Sequence, residues 1–358
     1  MRPIPDHLER ILNLARWAPS GDNTQPWRFE ILGDEHLLVH GFDTRDHVVY
    51  DLDGHASQLS VGALLETIIT AASNEGRQTY ITRRPNTPED HLLFDVCFEQ
   101  DTSQISDPLT SSIMKRVVQR RPMSTRRLTE TQKAALEATL PPGFRVLWFE
   151  GFIQRWRLAR YLFDNAKVRL MIPEAYAAHR VVIEWGAQFS EDKIPEQAVG
   201  VDPLTAHIMR WAMVDWKRVE FLNRWFMGDL PPRIQLDLLP GLACAAHFAL
   251  LAPVLSSVDD YLAAGQVMQR FWLAATSHGL YVQPEMTPVI FTRYHRHGRR
   301  FTQTDKALAL VENLNYRLIK LMGSEDVETL FFMGRMGFGP APHARSTRRP
   351  LSELIITS

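Results

Sequence analysis

Two helix-like segments built of small residues recur 203 positions apart, and this recurrence constrains the fold of the 358-residue chain more than any other feature. The first opens at Asp53-Gly54, continues through Ser73 and ends A-A-S-N-E-G, with Gly76 as a C-cap. The second, residues 259–278, ends A-A-T-S-H-G, an offset of 274 − 71 = 203. Ala, Ser and Gly let backbones approach, so each segment reads as a helix packed closely on a neighbour. Strand-like runs match as well: P-W-R-F-E-I-L resembles G-F-R-V-L-W-F at an offset of 144 − 27 = 117. Together the offsets predict a degenerate internal duplication with 203 − 117 = 86 extra residues inside the second copy.

The remaining patterning fits that scheme. Residues 5–18 read as an amphipathic helix with Leu8, Ile11, Leu12, Ala15 and Ala18 on one face, stopped by the turn formers Pro19-Ser20-Gly21-Asp22-Asn23. Strands are expected at 27–32 and 36–40 around a Gly33-Asp34 hairpin, and again at 78–83 and 91–99. Residues 100–111 are polar and read as a linker. Helices at 113–119 and 130–139 and a strand at 144–149 should follow. The extra segment, 155–240, holds Trp156, Trp185, Trp211, Trp216 and Trp225, and residues 207–227 within it read as a single amphipathic helix. It either packs on the second-half core or forms a lid over a planar ligand. Asp215 and Glu220 interrupt its basic face, which argues against a membrane-surface helix.

Composition removes several classes. Forty basic residues against forty-one acidic ones exclude a strong overall positive field for nucleic acid. No run of about 18 apolar residues could span a membrane. The start, M-R-P-I-P-D-H-L-E-R, lacks a secretion signal's apolar stretch, so a cytoplasmic protein is expected. Cys97 and Cys244 sit in apolar company and read as buried thiols. G-x-S-x-G, P-loop, H-E-x-x-H and C-x-x-C motifs are absent, and Gly334, Gly337 and Gly339 lack dinucleotide spacing. His295 and His297 read as a surface loop rather than a metal site, and Glu285 as a loop carboxylate without a catalytic partner. Three clusters stand out instead. One is the run Arg120, Arg121, Ser124, Arg126 and Arg127 before a helix, suited to a phosphate. Another is the tail set Arg345, Arg348 and Arg349, able to converge on the same anion. The third is A-P-S-G-D-N-T-Q-P-W.

That third segment resembles the P-S-x-x-N-x-Q-P-W segment of the FMN-dependent nitroreductase-like superfamily, with eight matching positions in A-P-S-G-D-N-T-Q-P-W-R-F. Arg121–Arg126 is similar to the family's phosphate-binding R-x-S-x-R segment, although Pro122 stands where its first arginine belongs. R-R-P-L at 348–351 resembles the closing R-x-P-L, and G-L-Y-V-Q-P at 279–284 the loop beside the flavin ring. The phosphate-type segment and the P-S-G-D-N-T-Q-P-W segment lie in different halves, as in fused double-domain, Acg-type members. The resemblance implies an α+β nitroreductase-like FMN-binding fold whose tandem degenerate halves, 1–105 and 106–358, form an intrachain pseudodimer. One FMN per chain would meet Pro19, Ser20, Asn23 and Gln25, then Arg120, Arg121, Ser124 and Arg126, then Gln283, Pro284 and Glu285, and finally Arg345 and Arg348. Hydride would pass from NAD(P)H through flavin N5 to a small organic acceptor, with no catalytic side chain, no metal, no nucleic acid and no membrane. A second implication is an FMN-sequestering protein with a lidded flavin and little turnover.

Overall fold

The computed structural model describes residues 4–101 and 103–356; residues 1–3 of the expected leaderless start and Thr102 of the expected linker lie outside them. Helix α1 (Asp6–Ala15) carries Leu8, Ile11, Leu12 and Ala15 at helical spacing, and all four are fully buried. A hairpin of β1 (Trp27–Ile31) and β2 (His36–Phe42) follows, turned at Gly33 as expected. Helix α2 (His55–Ser73) comes next, with 16 of its 19 residues buried, which makes it a central helix rather than a surface one. Strands β3 (Arg77–Arg83) and β4 (His91–Gln100) complete an antiparallel sheet of order β1-β2-β4-β3.

The second half repeats this topology. Helix α3 (Glu130–Glu137), opened by a Thr129–Gln132 capping box, precedes β5 (Arg145–Phe149). After a long connection, 150–245, come β6 (Ala246–Leu251), a second central helix (Val258–Ser277), β7 (Tyr281–Pro284) and β8 (Leu330–Gly337). They form an antiparallel sheet of order β5-β6-β8-β7. The 150–245 connection stands where the first half has a four-residue turn. It contains α4 (Gly151–Met171), α5 (Pro173–Val182), α6 (Pro203–Ala212) and α7 (Trp216–Trp225), so Val258–Ser277 is α8. Helices α9 (Thr287–Arg296) and α10 (Asp305–Met322) lie between β7 and β8.

Helices α2 and α8 cross at glycines related by the same offset, 62 + 203 = 265. A Cβ on Gly62 would stand 2.1 Å from the Leu262 carbonyl oxygen, and one on Gly265 2.2 Å from that of Leu59. Leu59 and Leu262 are themselves 203 apart, so the contact is reciprocal, as at an isologous dimer interface. Beside it, Gln269 donates to Thr67 Oγ1 at 3.0 Å and Arg270 to Glu66 at 2.9 Å. Cores interpenetrate accordingly: Leu262 and Leu273 of α8 enter the first-half core, and Leu59 and Ala63 of α2 the second.

The halves differ in how their sheets are covered. Every residue of β6 and β8 is buried, because α4, α9 and α10 cover the second sheet's other face. The first sheet has no such layer, so β4 alternates between buried and exposed or half-buried positions. Cys97 lies on its open face and is exposed, contrary to the expected buried thiol, whereas Cys244 is fully buried.

Three local expectations also change. Residues 113–119 are not helical. A 3-10 turn at Pro108–Ser112 is followed by extended chain, where Val118 bridges to Val282 and Gln119 N–H donates to the Val282 carbonyl. The free edge of β7 thus outcompetes a short helix containing adjacent β-branched Val117 and Val118. Residues 207–227 form two helices rather than one, because the Asp215 carboxylate accepts from Lys217 N–H and caps a new start. His295 belongs to the last turn of α9, not to a loop.

Candidate functional site

The P-S-G-D-N-T-Q-P-W segment folds tightly behind α1, with positive φ at Asp22 (50°), Asn23 (64°) and Gln25 (49°). Ser20 Oγ accepts from Gln25 N–H at 3.0 Å, and Pro19 is buried behind it. The amides of Asn23 and Gln25 are engaged by the chain itself. Asn23 Nδ2 donates to the Glu191 carbonyl at 3.0 Å, and Gln25 Nε2 to the same oxygen at 2.8 Å. Gln25 Oε1 accepts from Arg349 N–H at 3.0 Å. These side chains therefore clamp the inserted segment and the tail. Asp22 is the member of the motif whose side chain faces inward toward charged groups.

Asp22 lies in a cleft with Arg120, Arg169, Asp237, Tyr50 and His179. All six are half-buried. Arg169 pairs with Asp237 at 2.7 Å. Burial pushes the carboxyls of Asp22 and Asp237 up, against the pull of Arg120 on the first and Arg169 on the second. Burial draws the Arg120 guanidinium down to about 10. It also lowers His179 to about 3, so that imidazole is neutral at pH 7, and its Nε2 shares a hydrogen bond of 2.9 Å with the Tyr50 hydroxyl.

Beneath the cleft lies a fully enclosed charged triad. Glu285 Oε2 accepts from His247 Nδ1 at 2.9 Å, and Oε1 from Arg335 Nη1 at 2.8 Å. His247 Nε2 faces the Gly241 carbonyl at 2.7 Å, so both ring nitrogens meet acceptors and the ring is an imidazolium. Burial opposes that charge, but Glu285 overcomes it and holds His247 at about 10. Arg335 Nη2 reaches on to the Arg120 carbonyl at 3.0 Å, which joins the triad to the cleft wall. Glu285 is thus a structural ion rather than a lone loop carboxylate. Its partners lie 38 and 50 residues away in sequence, too far for any local signal to reveal.

The arginines divide differently from the expectation. Arg345 and Arg348 gather with Arg16 and Arg116 around Trp17, at the carbonyl end of α1. Arg116 is 4% exposed and has one protein acceptor, the Trp17 carbonyl at 2.8 Å. Arg348 donates to the Ala18 carbonyl at 3.0 Å, and Arg345 to that of Met114 at 3.0 Å. No carboxylate pairs with any of these four among the described residues. Burial first, and then mutual repulsion, lowers Arg348 to about 9 and Arg116 well below the ordinary range. Arg121, Ser124 and Arg126 are exposed, and Arg126 stacks on Phe338 at 3.5 Å. They are not brought to the tail arginines. Arg116-V-V-Q-Arg120 has the arginine spacing of R-x-S-x-R, with Val118 where that pattern has serine. Gln283 donates to the Pro284 carbonyl at 2.7 Å, and its Oε1 is enclosed without a partner.

Part of the insertion covers this region. Ser346 Oγ donates to the Lys193 carbonyl, Arg120 Nη1 to that of Ala198, and Arg349 pairs with Asp192 at 2.8 Å. Residues 188–200 thus lie across the motif, while aromatic helices α6 and α7 point outward. Trp211 is 46% and Trp225 67% exposed. Among the described residues no group of three His, Cys, Asp or Glu is placed to hold a metal, and no helix is long and apolar enough to cross a membrane.

Residues 2–59 match the model of the Nitroreductase family. The Mycobacterium tuberculosis (strain CDC 1551 / Oshkosh) protein MT1398 is 23% identical over 351 residues, covering 95% of this chain and 47% of that protein. MT3212 of the same strain is 38% identical over 87 residues, 23% of this chain and 25% of that one. The chain therefore spans about half the length of the first relative. The solved FMN-dependent nitroreductase NfnB from Mycobacterium smegmatis, in complex with NADPH, aligns over 96% of its chain and 69% of this one, at 18% identity and a TM-score of 0.38. The segment carrying P-S-G-D-N-T-Q-P-W is thus nitroreductase-like. In this chain a single polypeptide supplies both sheets and both central helices.

Proposed function

We propose that the chain is an FMN-dependent oxidoreductase holding one FMN between its two halves. The observation that carries this reading is the Arg16, Arg116, Arg345 and Arg348 group beside the P-S-G-D-N-T-Q-P-W segment. Four guanidiniums gathered with no carboxylate in ion-pair contact among the described residues, and only Glu191 acting on Arg16 from farther off, suit a dianionic phosphate, since the anion would relieve their mutual repulsion. Arg116, Arg345 and Arg348 would hold the phosphate, while Ser20, Asp22 and the unpartnered Gln283 Oε1 offer polar groups to the rest of the cofactor. Bound there, FMN would supply hydride transfer from NAD(P)H to a small organic acceptor. The inserted residues 188–200, tied to Asn23, Gln25, Arg120 and Ser346, would cover the cofactor. Division near residue 105 into two halves, a pseudodimer acting without a second chain, and a cytoplasmic setting all belong to this reading.

The arginine assignment separates two registers. Arg116→Ala should weaken FMN binding about tenfold to a hundredfold, the effect of losing a charged hydrogen bond. Arg126→Ala should leave FMN affinity unchanged. The reverse result, read by fluorescence titration of FMN, would return the phosphate to Ser124 and Arg126.

Sequestration is the second reading, favoured by the bonds that close residues 188–193 over Asn23, Gln25 and Ser346. An anaerobic absorbance spectrum tests both. Yellow protein that bleaches with NADPH within seconds supports the oxidoreductase. Protein bleached only by dithionite supports the carrier, and a colourless protein that FMN cannot reconstitute removes both. Asp192→Ala, which cuts the side-chain tie to Arg349, should speed bleaching several-fold; an unchanged rate would show that this segment does not gate access.

A further inference from the structure

A groove of about 290 Å³ lies on the outer surface between α4 and α10, away from the cleft, and is lined by Trp156, Arg157, Arg160, Tyr161, Arg317 and Lys320. Its charge is one-sided. Four cations meet a single carboxylate, Asp164, which Arg317 approaches to 2.9 Å and Arg160 to 3.6 Å. Asp164 is also shared with Arg233 at 3.8 Å, so it neutralises little of the groove. Arg157 and Lys320 have no acidic partner among the described residues. Large apolar surface adjoins these charges. Ile153, Trp156, Arg157 and Arg160 follow i, i+3, i+4, i+7 spacing and share one face of α4, with Ile153 65% and Trp156 44% exposed. Tyr161 in the lining is fully enclosed, and its hydroxyl has no hydrogen-bond partner.

An exposed indole beside the unpaired Arg157 guanidinium and the Lys320 ammonium, with Arg160 and Arg317 sharing one carboxylate, fits a planar ring carrying negative charge. Guanidinium forks match carboxylate and phosphate oxygens, and the indole face offers stacking area. The volume is at the small end for ligand sites, which excludes a dinucleotide. We propose that this groove binds a small aromatic anion, its ring against Trp156 and its acid group among Arg157, Arg160 and Lys320. The site is independent of any flavin.

Calorimetric titration of the full chain with 1-naphthoate, 1-naphthyl phosphate and neutral 1-naphthamide tests it. Either anion should bind saturably, the amide at least tenfold more weakly, and the tighter anion identifies the acid group. Arg157→Glu and Lys320→Glu should each weaken anion binding at least tenfold, and Trp156→Leu several-fold, with unchanged thermal melts. Equal affinity for the amide, retained affinity in both charge reversals, or displacement of the naphthyl anion by FMN would overturn the proposal. Should a charge reversal fail to fold, Trp156→Leu and the amide comparison still decide the outcome.

Discussion

Gly265→Ala should lower stability by about 3 kcal/mol or more, at the upper end of the cost of overpacking a core. The added Cβ meets Leu59 backbone atoms at 2.2 and 2.9 Å, and no rotamer change can move a backbone. Relief requires α2 and α8 to separate, which opens both cores at once because each helix enters the other half's core. Gly62→Ala should act equally, through the Leu262 carbonyl at 2.1 Å. The double variant should cost less than the sum, since helices already parted by one methyl accept the second more easily. Thermal or denaturant unfolding of the three variants measures this. Additive losses would mean that the two contacts are independent and the crossing is not a single reciprocal joint.

Glu285→Gln should be comparably severe, about 3–5 kcal/mol, because it leaves His247 and Arg335 facing one another in a dry interior. It should also change how stability depends on pH. Burial pushes the Glu285 carboxyl up, but His247 and Arg335 outweigh that and hold it below its ordinary value. Its contribution is therefore present above the unfolded carboxylate range and lost as pH falls through the folded value. His247 has the opposite sign. Held at about 10, it contributes fully below about 6.5 and loses that contribution as pH rises toward 10. Wild-type protein should thus lose stability between pH 7 and 10, while Glu285→Gln, in which the largest support of the His247 charge is gone and only Cys244 still opposes burial, should lose much less. Unfolding curves across pH 5–10 provide the check, and parallel curves for the two proteins would remove the triad as a source of the pH dependence.

The repeat was legible because both copies keep small residues at the same spacing in their central helices. Gly62 and Gly265 need a bare backbone for contact, and that requirement preserved the 203-residue offset. Strand positions were legible for a related reason, since a sheet with one open face imposes alternation on β3 and β4. The second sheet, buried on both faces, imposes none, and its layer of α4, α9 and α10 could not be inferred from its strands. The motif P-S-G-D-N-T-Q-P-W located one wall of the cleft, although Asn23 and Gln25 bond to the chain itself.

Local spacing, helix caps and small-residue runs therefore determined the duplication, the order of elements and the position of the inserted segment. Tertiary structure alone decided which arginines meet. Arg116 and Arg348 are 232 positions apart, and they are joined because the tail returns across the chain just after α1, where the Trp17 and Ala18 carbonyls accept from them. The same holds for His247 on β6, Arg335 on β8 and Glu285 just past the end of β7. Charges can be buried only where partners converge from separate elements, and a one-dimensional pattern carries no record of that convergence.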